Sequence, residues 1–334
     1  MVTKLPVPPV DKPAATSVGR VTYISRFPVK SLGGETLSEA MIEGNGLVGD
    51  RRFAILDLET GNIASAKNPR KFAKLLELRA GYVEDPTRDD DLPPLLVHFP
   101  DGSSLRSDGA GLDEALSGFI GRAVRLIGEV PASGGDFEII RLDVPEQPDD
   151  ERRNLPRDPD NNDDFIMLHK RSRDVPDTTF FDLAPLHLVT TSSINHMSDK
   201  NPESNFDFRR FRPNIVIEAA EGGLVEDQWI DGTLEIGSGL RVNVTLPTPR
   251  CVAVTLSHAP DLAVDRDTIR NILKANMLDV PGFGKFGCLG VYADVSSDGR
   301  VTIGDEVCFR SGDSSRSDNV SARLKKQIRA ARRY

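Results

Sequence analysis

Cysteine, histidine and tryptophan are scarce in this chain of 334 residues, which has three cysteines, five histidines and one tryptophan. Cys251, Cys288 and Cys308 are widely spaced, so they form none of the close pairs that zinc sites and iron–sulfur clusters use. An odd number of cysteines also gives no complete disulfide framework. We therefore expect a protein of a reducing compartment, the cytoplasm, with at most one cysteine in a chemical role.

Long apolar runs and an excess of basic residues are also lacking. No segment approaches the roughly 18 consecutive apolar residues of a membrane span, so we expect no membrane contact. The net charge of −9 suits nucleic acid poorly, because a phosphate backbone needs a basic face. We expect no nucleic-acid binding beyond possible modified bases. Residues 1–17 have no signal-peptide core and are interpreted as a flexible arm. The basic tail at 313–334 is either a solvated helix or a contact for an acidic partner.

The common nucleotide and hydrolase motifs are missing as well. The sequence contains no Walker loop, no Gly-x-Gly-x-x-Gly fingerprint and no Gly-x-Ser-x-Gly elbow. The histidines form no close pair with the spacing of metal ligands. His98 and His187 fall in predicted strands, where we expect structural roles.

Short strands and turns make up most of the pattern, which predicts a mixed, mostly β fold with a few short helices. We expect one β-rich domain over 18–130 and a second over 165–312. Between them, 131–164 is rich in Pro, Asp and Glu and is predicted as a long loop. The main predicted elements are strands at 186–190, 214–218, 233–236, 240–246 and 251–256, a closing hairpin of 288–295 with 301–303, and helices at 113–120, 191–197 and 266–276.

Basic side chains gather where these predicted elements meet, and each alone is typical of a surface charge or an ion pair. Together they indicate one anionic ligand, because Arg offers a planar fork for phosphate and Lys a point charge. Hydroxyl groups at a predicted helix start could add backbone N–H donors, although simple capping explains them equally well. These candidate cofactor-binding residues are Lys30, Arg51, Lys67, Arg212 and Arg250, with Thr191, Ser192 and Ser193 at the helix start.

Cys251 differs from the other two cysteines in its setting. It follows Pro247-Thr248-Pro249-Arg250, which predicts a rigid turn that leads into a strand at the cysteine. A neighbouring guanidinium favours the thiolate, which is the form that ligates a soft metal. Cys288 and Cys308 lie in apolar strand patterns and are predicted to be core residues.

Six motifs in order resemble one known family: Phe27-Pro28-Val29-Lys30-Ser31, Gly46-Leu47-Val48-Gly49-Asp50-Arg51-Arg52-Phe53, Phe211-Arg212-Pro213-Asn214, Glu226-Asp227-Gln228-Trp229, Pro249-Arg250-Cys251 and Ile303-Gly304-Asp305. The chain is similar to MOSC-domain proteins that carry an N-terminal β-barrel domain, a family that includes the mitochondrial amidoxime-reducing component and bacterial reductases of N-hydroxylated compounds. The resemblance implies a β-barrel-like N-terminal domain packed on a MOSC β-barrel.

The resemblance also implies a molybdenum–molybdopterin cofactor, and not pyridoxal phosphate. It places Lys30, Ser31, Arg51, Arg212 and Asn214 on the cofactor, adds the segment 191–193, and makes Cys251 the catalytic residue and metal ligand. The implied activity is the reduction of small N-hydroxylated substrates, with electrons from a separate flavin or iron–sulfur protein.

Two other functions stay open. Cys251 could instead carry sulfur or molybdopterin, or the fold could be a scaffold that binds a ligand without catalysis. Ser257-His258-Ala259-Pro260-Asp261 replaces the family's Asp-Pro-Asp-Thr-Gly-like loop, which leaves the choice of substrate open.

Overall fold

The structure is a computed structural model that describes residues 15–88, 91–131, 135–142, 157–158, 161–169, 178–280 and 284–312. The basic tail at 313–334 and most of the predicted arm at 1–17 lie outside these residues. Within the described ranges, no helix is long and apolar enough to cross a membrane.

Strands dominate the described residues, which confirms the mostly β class predicted from the sequence. The strands are β1 (Thr16–Arg26), β2 (Glu35–Leu37), β3 (Glu39–Glu43), β4 (Gly46–Leu47), β5 (Ala54–Asp57), β6 (Arg79–Tyr82), β7 (Leu95–His98), β8 (Ser104–Arg106), β9 (Val124–Ile127), β10 (Phe137–Leu142), β11 (Arg157–Asp158), β12 (Asn161–His169), β13 (Leu186–Thr190), β14 (Ile215–Ala219), β15 (Thr233–Ile236), β16 (Leu240–Pro249), β17 (Met277–Val280), β18 (Gly284–Ser297), β19 (Gly299–Thr302) and β20 (Glu306–Arg310). The α-helices are α1 (Pro69–Phe72), α2 (Leu112–Ile120), α3 (Thr191–Lys200) and α4 (Asp267–Ala275), and short 3₁₀ helices lie at Ala73–Glu77, Phe208–Phe211, Val225–Trp229 and Val252–Thr255.

Seven of these strands close into a barrel in the order β13-β14-β1-β20-β15-β16-β18, and a pairing of β13 with β18 completes the ring. β13 and β14 run parallel, whereas the other neighbours are antiparallel. Closure leaves no exposed strand edge along the ring. Alternate residues of β16, such as Leu240, Val242 and Val244, are buried in the barrel core together with Leu188 and Leu234. The barrel takes β1 from the beginning of the chain, so its strands come from both predicted domains.

A second core lies in the first part of the chain, where β6, β7 and β8 form one sheet and β5 pairs with β9. α2 packs on this core because Leu112, Leu116 and Ile120 recur every four residues and are buried. Gly111 and Gly121 bound the helix with positive φ values of 89° and 84°. The helix predicted at 113–120 is therefore confirmed.

The segment 131–164, predicted as a long loop, is partly strand. β10 pairs with β12, which also pairs with β11, to form a three-stranded antiparallel sheet. The prediction was wrong at these residues because it rested on the acidic, proline-rich composition, whereas the strands form through the pairing of β10 with β12, which lies further along the chain. Phe137 begins β10 and is buried beside Ile63, to which it is joined by a β-bridge.

The hairpin predicted between 288–295 and 301–303 is also wrong. β19 follows β18 directly but pairs with β3, with Val301 opposite Ala40. β18 is already paired with β16 at this point, where Val295 lies opposite Val242. A Cβ on Gly299 would lie 2.5 Å from the Leu240 backbone nitrogen, so glycine permits this close crossing.

Candidate functional site

The loop after β1 carries the first predicted site residues, Lys30 and Ser31. The Lys30 amide donates to the Phe53 carbonyl at 2.8 Å, and a β-bridge joins Val29 to Phe53. Ser31 has a left-handed backbone with φ of 65°, and its Oγ accepts a hydrogen bond from the Ala66 amide at 3.2 Å. These contacts fix the loop and direct the Lys30 side chain, which is 5% exposed, into the protein.

Lys30, Lys67 and Asp182 form an ion trio. Lys30 Nζ donates to Oδ1 of Asp182 and to the Phe180 carbonyl, the latter at 3.1 Å. Lys67 Nζ lies 3.0 Å from Oδ2 of the same carboxylate. Both ammonium groups lie over the Phe137 ring, at 4.2 Å for Lys30 and 5.1 Å for Lys67. The structure therefore brings two predicted cofactor residues together on one carboxylate.

The environment of the ion trio changes the pKa of each member. Burial, opposed by Asp182, lowers the pKa of Lys30 to about 8. Burial also lowers the pKa of Lys67, but Asp182 and the negative forms of Cys251 and Tyr292 outweigh this effect and raise it. For the Asp182 carboxyl, burial alone would raise the pKa, but the two lysines hold it well below its usual range. The carboxylate is therefore charged at neutral pH.

Arg51 and Arg212 lie against the ring of Phe27, with guanidinium carbons 4.8 Å and 4.3 Å from its centroid. Arg212 Nη1 donates to the Leu32 carbonyl, and Arg51 Nε lies 3.7 Å from Oδ2 of the buried Asp50. Within the described ranges, Arg51 Nε and Arg212 Nη2 are buried without a hydrogen-bond partner. Burial and then the charge of Arg51 hold the pKa of Arg212 well below its usual range. Two neighbouring cations with unused donors match the chemistry of an anion site.

Backbone strain is concentrated at these same residues. In the part of the chain that the structure describes, four residues other than glycine have positive φ: Ser31, Arg51, Arg212 and Asp231. Three of the four are residues predicted to bind a cofactor. Positive φ costs a non-glycine residue of the order of 1–3 kcal/mol, and such residues cluster at binding and catalytic sites.

Cys251 lies where β16 ends, and its local structure differs from the prediction. The segment 247–250 is not a turn, because β16 continues to Pro249, which lies opposite Cys288. Irregularities in the β16–β18 register, one of them between Pro247 and Pro249, accommodate residues that lack an N–H donor. The strand predicted at 251–256 is instead the 3₁₀ helix Val252–Thr255, because the chain bonds to itself beyond the last β16 pairing. Cys251 is partly exposed.

The Arg250 guanidinium bonds to residues of the barrel wall and to the segment before β14. Its Nε donates to the Leu289 carbonyl at 2.8 Å, and its Nη1 donates to the Phe211 carbonyl at 3.3 Å. Its Nη2 donates to Nε2 of His187, which must accept because a guanidinium has no acceptor. Burial, followed by the charge of Arg250, holds the pKa of His187 well below its usual range, so the imidazole is neutral. Burial lowers the pKa of Arg250 to about 10.

The hydroxyl groups at the start of α3 bond to the protein. Thr190, not Thr191 or Ser192, is the N-cap, since its Oγ1 accepts the Ser193 amide at 3.0 Å. The Ser192 hydroxyl donates to the Gly223 carbonyl at 2.8 Å. The Thr190 hydroxyl donates to the buried Glu226 carboxyl at 2.7 Å, and the Ser193 hydroxyl donates to the same oxygen. Capping and these bonds occupy Ser192 and Ser193; Thr191 is partly buried.

Asn214 is also held by protein contacts. Its Oδ1 accepts the His187 amide at 3.1 Å, and its Nδ2 donates to the Ser25 carbonyl at 3.4 Å. It thereby ties β13 and β14 to β1 beside the site. A direct contact with a cofactor stays a prediction for this residue.

Three residues near the site were not predicted as part of it: Asp182, His187 and Tyr292. For His187 only a structural role was predicted, and Asp182 is one of 51 acidic residues with no motif to distinguish it. Tyr292 lies opposite His187 in the β13–β18 pairing, with ring centroids 5.6 Å apart. Burial and Asp182 raise the pKa of Tyr292, while Lys67 and Arg250 oppose them. The phenol therefore keeps its proton at neutral pH.

The other two cysteines have different surroundings. Cys288 is fully buried in β18, as predicted, and burial raises the pKa of its thiol to about 12. Cys308 is only partly buried in β20, so its assignment to the core was wrong. In the described ranges, no group of three or more His, Cys, Asp and Glu side chains is arranged to hold a metal ion. What the site does offer is a partly exposed thiol near partly buried cations.

Two family models match the chain. The model of the MOSC N-terminal beta barrel domain matches residues 18–110, and the model of the MOSC domain matches residues 176–308. Together they match more than half of the chain, which therefore belongs to the MOSC-domain family. MOSC domains are associated with molybdenum cofactor sulfurase-like proteins.

No curated protein matches the chain. Among solved structures, the YUAD protein from Bacillus subtilis is similar, with 10% sequence identity and a TM-score of 0.39 over 90% of this chain and 100% of that one. This likeness is too distant to bear on the site.

Proposed function

We propose that this chain binds a molybdenum–molybdopterin cofactor and reduces N-hydroxylated compounds such as amidoximes, hydroxylamines or N-hydroxylated bases. The observation that carries the proposal is the grouping of one partly exposed thiol with partly buried cations. The negative form of Cys251 acts on the pKa of Lys67, Arg250 and Tyr292, so the thiol lies within electrostatic range of these three side chains. Membership of the MOSC family supports a link to molybdenum cofactor chemistry.

The residues fit an anionic cofactor. Arg51 Nε and Arg212 Nη2 are buried donors without a hydrogen-bond partner among the described residues, and phosphate oxygens are suitable acceptors for such donors. Lys30 and Lys67 add positive charge, and the Ser31 hydroxyl, whose oxygen accepts the Ala66 amide, retains its own proton to donate. Cys251 would be the protein ligand of the metal, since a thiolate suits a soft metal. When bound, the cofactor supplies the two-electron redox chemistry.

The chain's own residues would orient the substrate and control protons. Cleavage of the N–O bond of a hydroxylamine consumes two electrons and two protons and releases an amine and water. The electrons come, in this proposal, from a separate flavin or iron–sulfur protein. The neutral phenol of Tyr292 can hydrogen-bond an oxygen of the substrate, and Lys67 holds positive charge beside it. Arg250 and His187 keep the wall behind Cys251 in place through their mutual bond.

Elemental and pterin analysis tests the cofactor assignment directly. Protein made in a host that assembles the cofactor should contain about one molybdenum and one pterin per chain. Absence of both, in a host that loads other molybdenum enzymes, would favour the scaffold and refute the proposal. Pterin that is bound but transferred to another enzyme without turnover would favour a carrier.

Turnover tests the role of Cys251. With a chemical reductant, the loaded protein should reduce benzamidoxime or N-hydroxyurea. Cys251→Ser should abolish this reduction, because a hydroxyl is a harder and less electron-donating ligand than a thiolate. Cys308→Ser is the matched control, since Cys308 is also partly exposed and should keep wild-type turnover per molybdenum. Equal turnover by Cys251→Ser would show that the thiolate assignment is wrong.

A further inference from the structure

We propose that Asp182 is a positioning residue: the shared counter-ion that holds the ammonium groups of Lys30 and Lys67 as a pair facing the anionic group of the cofactor. The proposal rests on the proposed function only for the identity of that anion. The positioning itself is a property of the ion trio and can be measured without any cofactor.

The geometry of the ion trio is specific. Each lysine bonds a different oxygen of the Asp182 carboxylate, so the carboxylate fixes the separation of the two ammonium groups. The segment that carries Asp182 is itself anchored, because the Phe180 amide donates to the Arg51 carbonyl at 2.7 Å and the Phe180 carbonyl accepts Lys30 Nζ. Side-chain exposure is 5% for Lys30, 22% for Lys67 and 28% for Asp182, so within the ion trio it is Lys30 that is shielded from water.

The ion trio keeps unused capacity for an anion. An ammonium group has three N–H donors. Among the described residues, Lys30 uses two, for Asp182 and the Phe180 carbonyl, and Lys67 uses one. One carboxylate against two ammonium groups leaves a net positive charge. Asp182 therefore leaves donors and charge for a ligand while it holds the lysines in place.

Removal of the carboxylate would leave Lys30 among like charges. The charged groups that act on Lys30 are Asp182, Lys67 and Arg51, and only Asp182 favours its protonated form. The remaining neighbours are the Phe137 ring and the Phe180 carbonyl. Even with Asp182 present, burial lowers the pKa of Lys30 to about 8. Without Asp182 the pKa of Lys30 would fall further, and the site would lose positive charge as well as its geometry.

The first experiment uses protein without cofactor and measures the titration of Lys30 by NMR of labelled lysine side chains, assigned with Lys30→Gln. Asp182→Asn should weaken proton binding by Lys30 at least about tenfold. Lys67→Gln should shift it the opposite way, because a neighbouring like charge is removed. Asp182→Glu keeps the negative charge, so its Lys30 titration should lie close to that of wild type. Asp261→Asn, an exposed carboxylate paired with Arg209, should change nothing. Opposite signs in two variants are not expected from a merely structural role.

The second experiment measures the pterin retained by loaded protein after dialysis at pH 7 to 9. Asp182→Asn should retain at least about fivefold less pterin than wild type, with Asp182→Glu in between and Asp261→Asn unchanged. An unaltered Lys30 titration in Asp182→Asn, or a downward shift in Lys67→Gln, overturns the positioning role even if pterin binds. If Asp182→Asn fails to fold, the direction of the Lys30 titration shift in Lys67→Gln tests the positioning role instead. Absence of pterin from wild type, with both Lys30 shifts present, instead defeats the proposed cofactor and leaves the positioning role supported.

Discussion

Gly290 of β18 should tolerate no side chain, because it lies against β13 at the seam that closes the barrel. Its φ is 79°, and a Cβ there would lie 2.6 Å from the Leu188 carbonyl oxygen and 2.7 Å from His187 Nε2. The first of these atoms belongs to a strand backbone that is paired on both sides and cannot yield cheaply. Left-handed backbone costs a non-glycine residue about 1–2 kcal/mol, and overpacking costs about 1–3 kcal/mol more. Gly290→Ala should therefore lower the free energy of unfolding by about 2–5 kcal/mol.

Urea unfolding followed by fluorescence measures this loss, because Trp229, the only tryptophan, is buried in the barrel core. Gly239→Ala is the matched control, since a Cβ at Gly239 meets no atom within 4 Å. A side effect should appear at the site: displacement of His187 also disturbs Arg250, so loaded Gly290→Ala should hold less pterin. If the two alanine variants unfold at the same urea concentration, the account of the barrel seam is wrong.

Three further predictions concern single side chains. Arg51→Ala and Arg212→Ala should each weaken cofactor binding roughly ten- to a hundredfold, from about 1.5–3 kcal/mol per charge-assisted bond, and unchanged pterin content under limiting cofactor in both would contradict the site. Burial lowers the pKa of His258 to about 4, so between pH 4 and 6.5 this histidine binds a proton in the unfolded chain and not in the folded one. The free energy of unfolding should therefore fall by about 3 kcal/mol as the pH drops through that window. His258→Gln should make the free energy of unfolding, measured with urea, depend less on pH over the same range. Thr190→Val should cost about 1–2 kcal/mol in the same assay by removal of the α3 cap and a bond to a buried carboxyl, and a change below about 0.3 kcal/mol would show that the cap is dispensable.

Local patterns predicted best the strands that form the barrel. The strands at 186–190 and 233–236 match the structure at both ends, and the alternation at 240–246 marks the part of β16 that lines the barrel core. Prediction failed where a partner far along the chain decides the outcome. The run Val252–Thr255 is as apolar as a strand, but no neighbouring strand pairs with it, so its backbone bonds within itself. β19 pairs with β3, some 260 residues away, which no local pattern indicates.

The candidate site was predicted unevenly for a similar reason. Lys30, Arg51 and Arg212 stood out because basic residues gather at the junctions of predicted elements and because these three fall in motifs. Asp182 carries the opposite, abundant charge, and its importance comes only from the two lysines that the fold brings to it. Tyr292 was hidden inside a barrel strand, where a partly buried aromatic residue is ordinary. The charge of a side chain marks it as a candidate site residue, but the fold decides which candidates lie close to one another.

The cations of the site lower the stability of the folded chain, and the fold alone does not explain why they are there. Arg51 and Arg212 both adopt left-handed backbone, lie against one ring and retain buried donors without hydrogen-bond partners among the described residues. Buried unpaired donors cost about 1–3 kcal/mol each, and each strained backbone a similar amount. A chain under selection for stability alone would replace one of these arginines, because a hydrophobic residue often stabilises such a position. Their presence together is what we expect of a site whose ligand supplies the missing acceptors. An anion bound there should raise the free energy of unfolding, which inorganic phosphate or pyrophosphate added to cofactor-free protein would reveal as a higher urea midpoint in wild type and a smaller shift in Arg212→Ala.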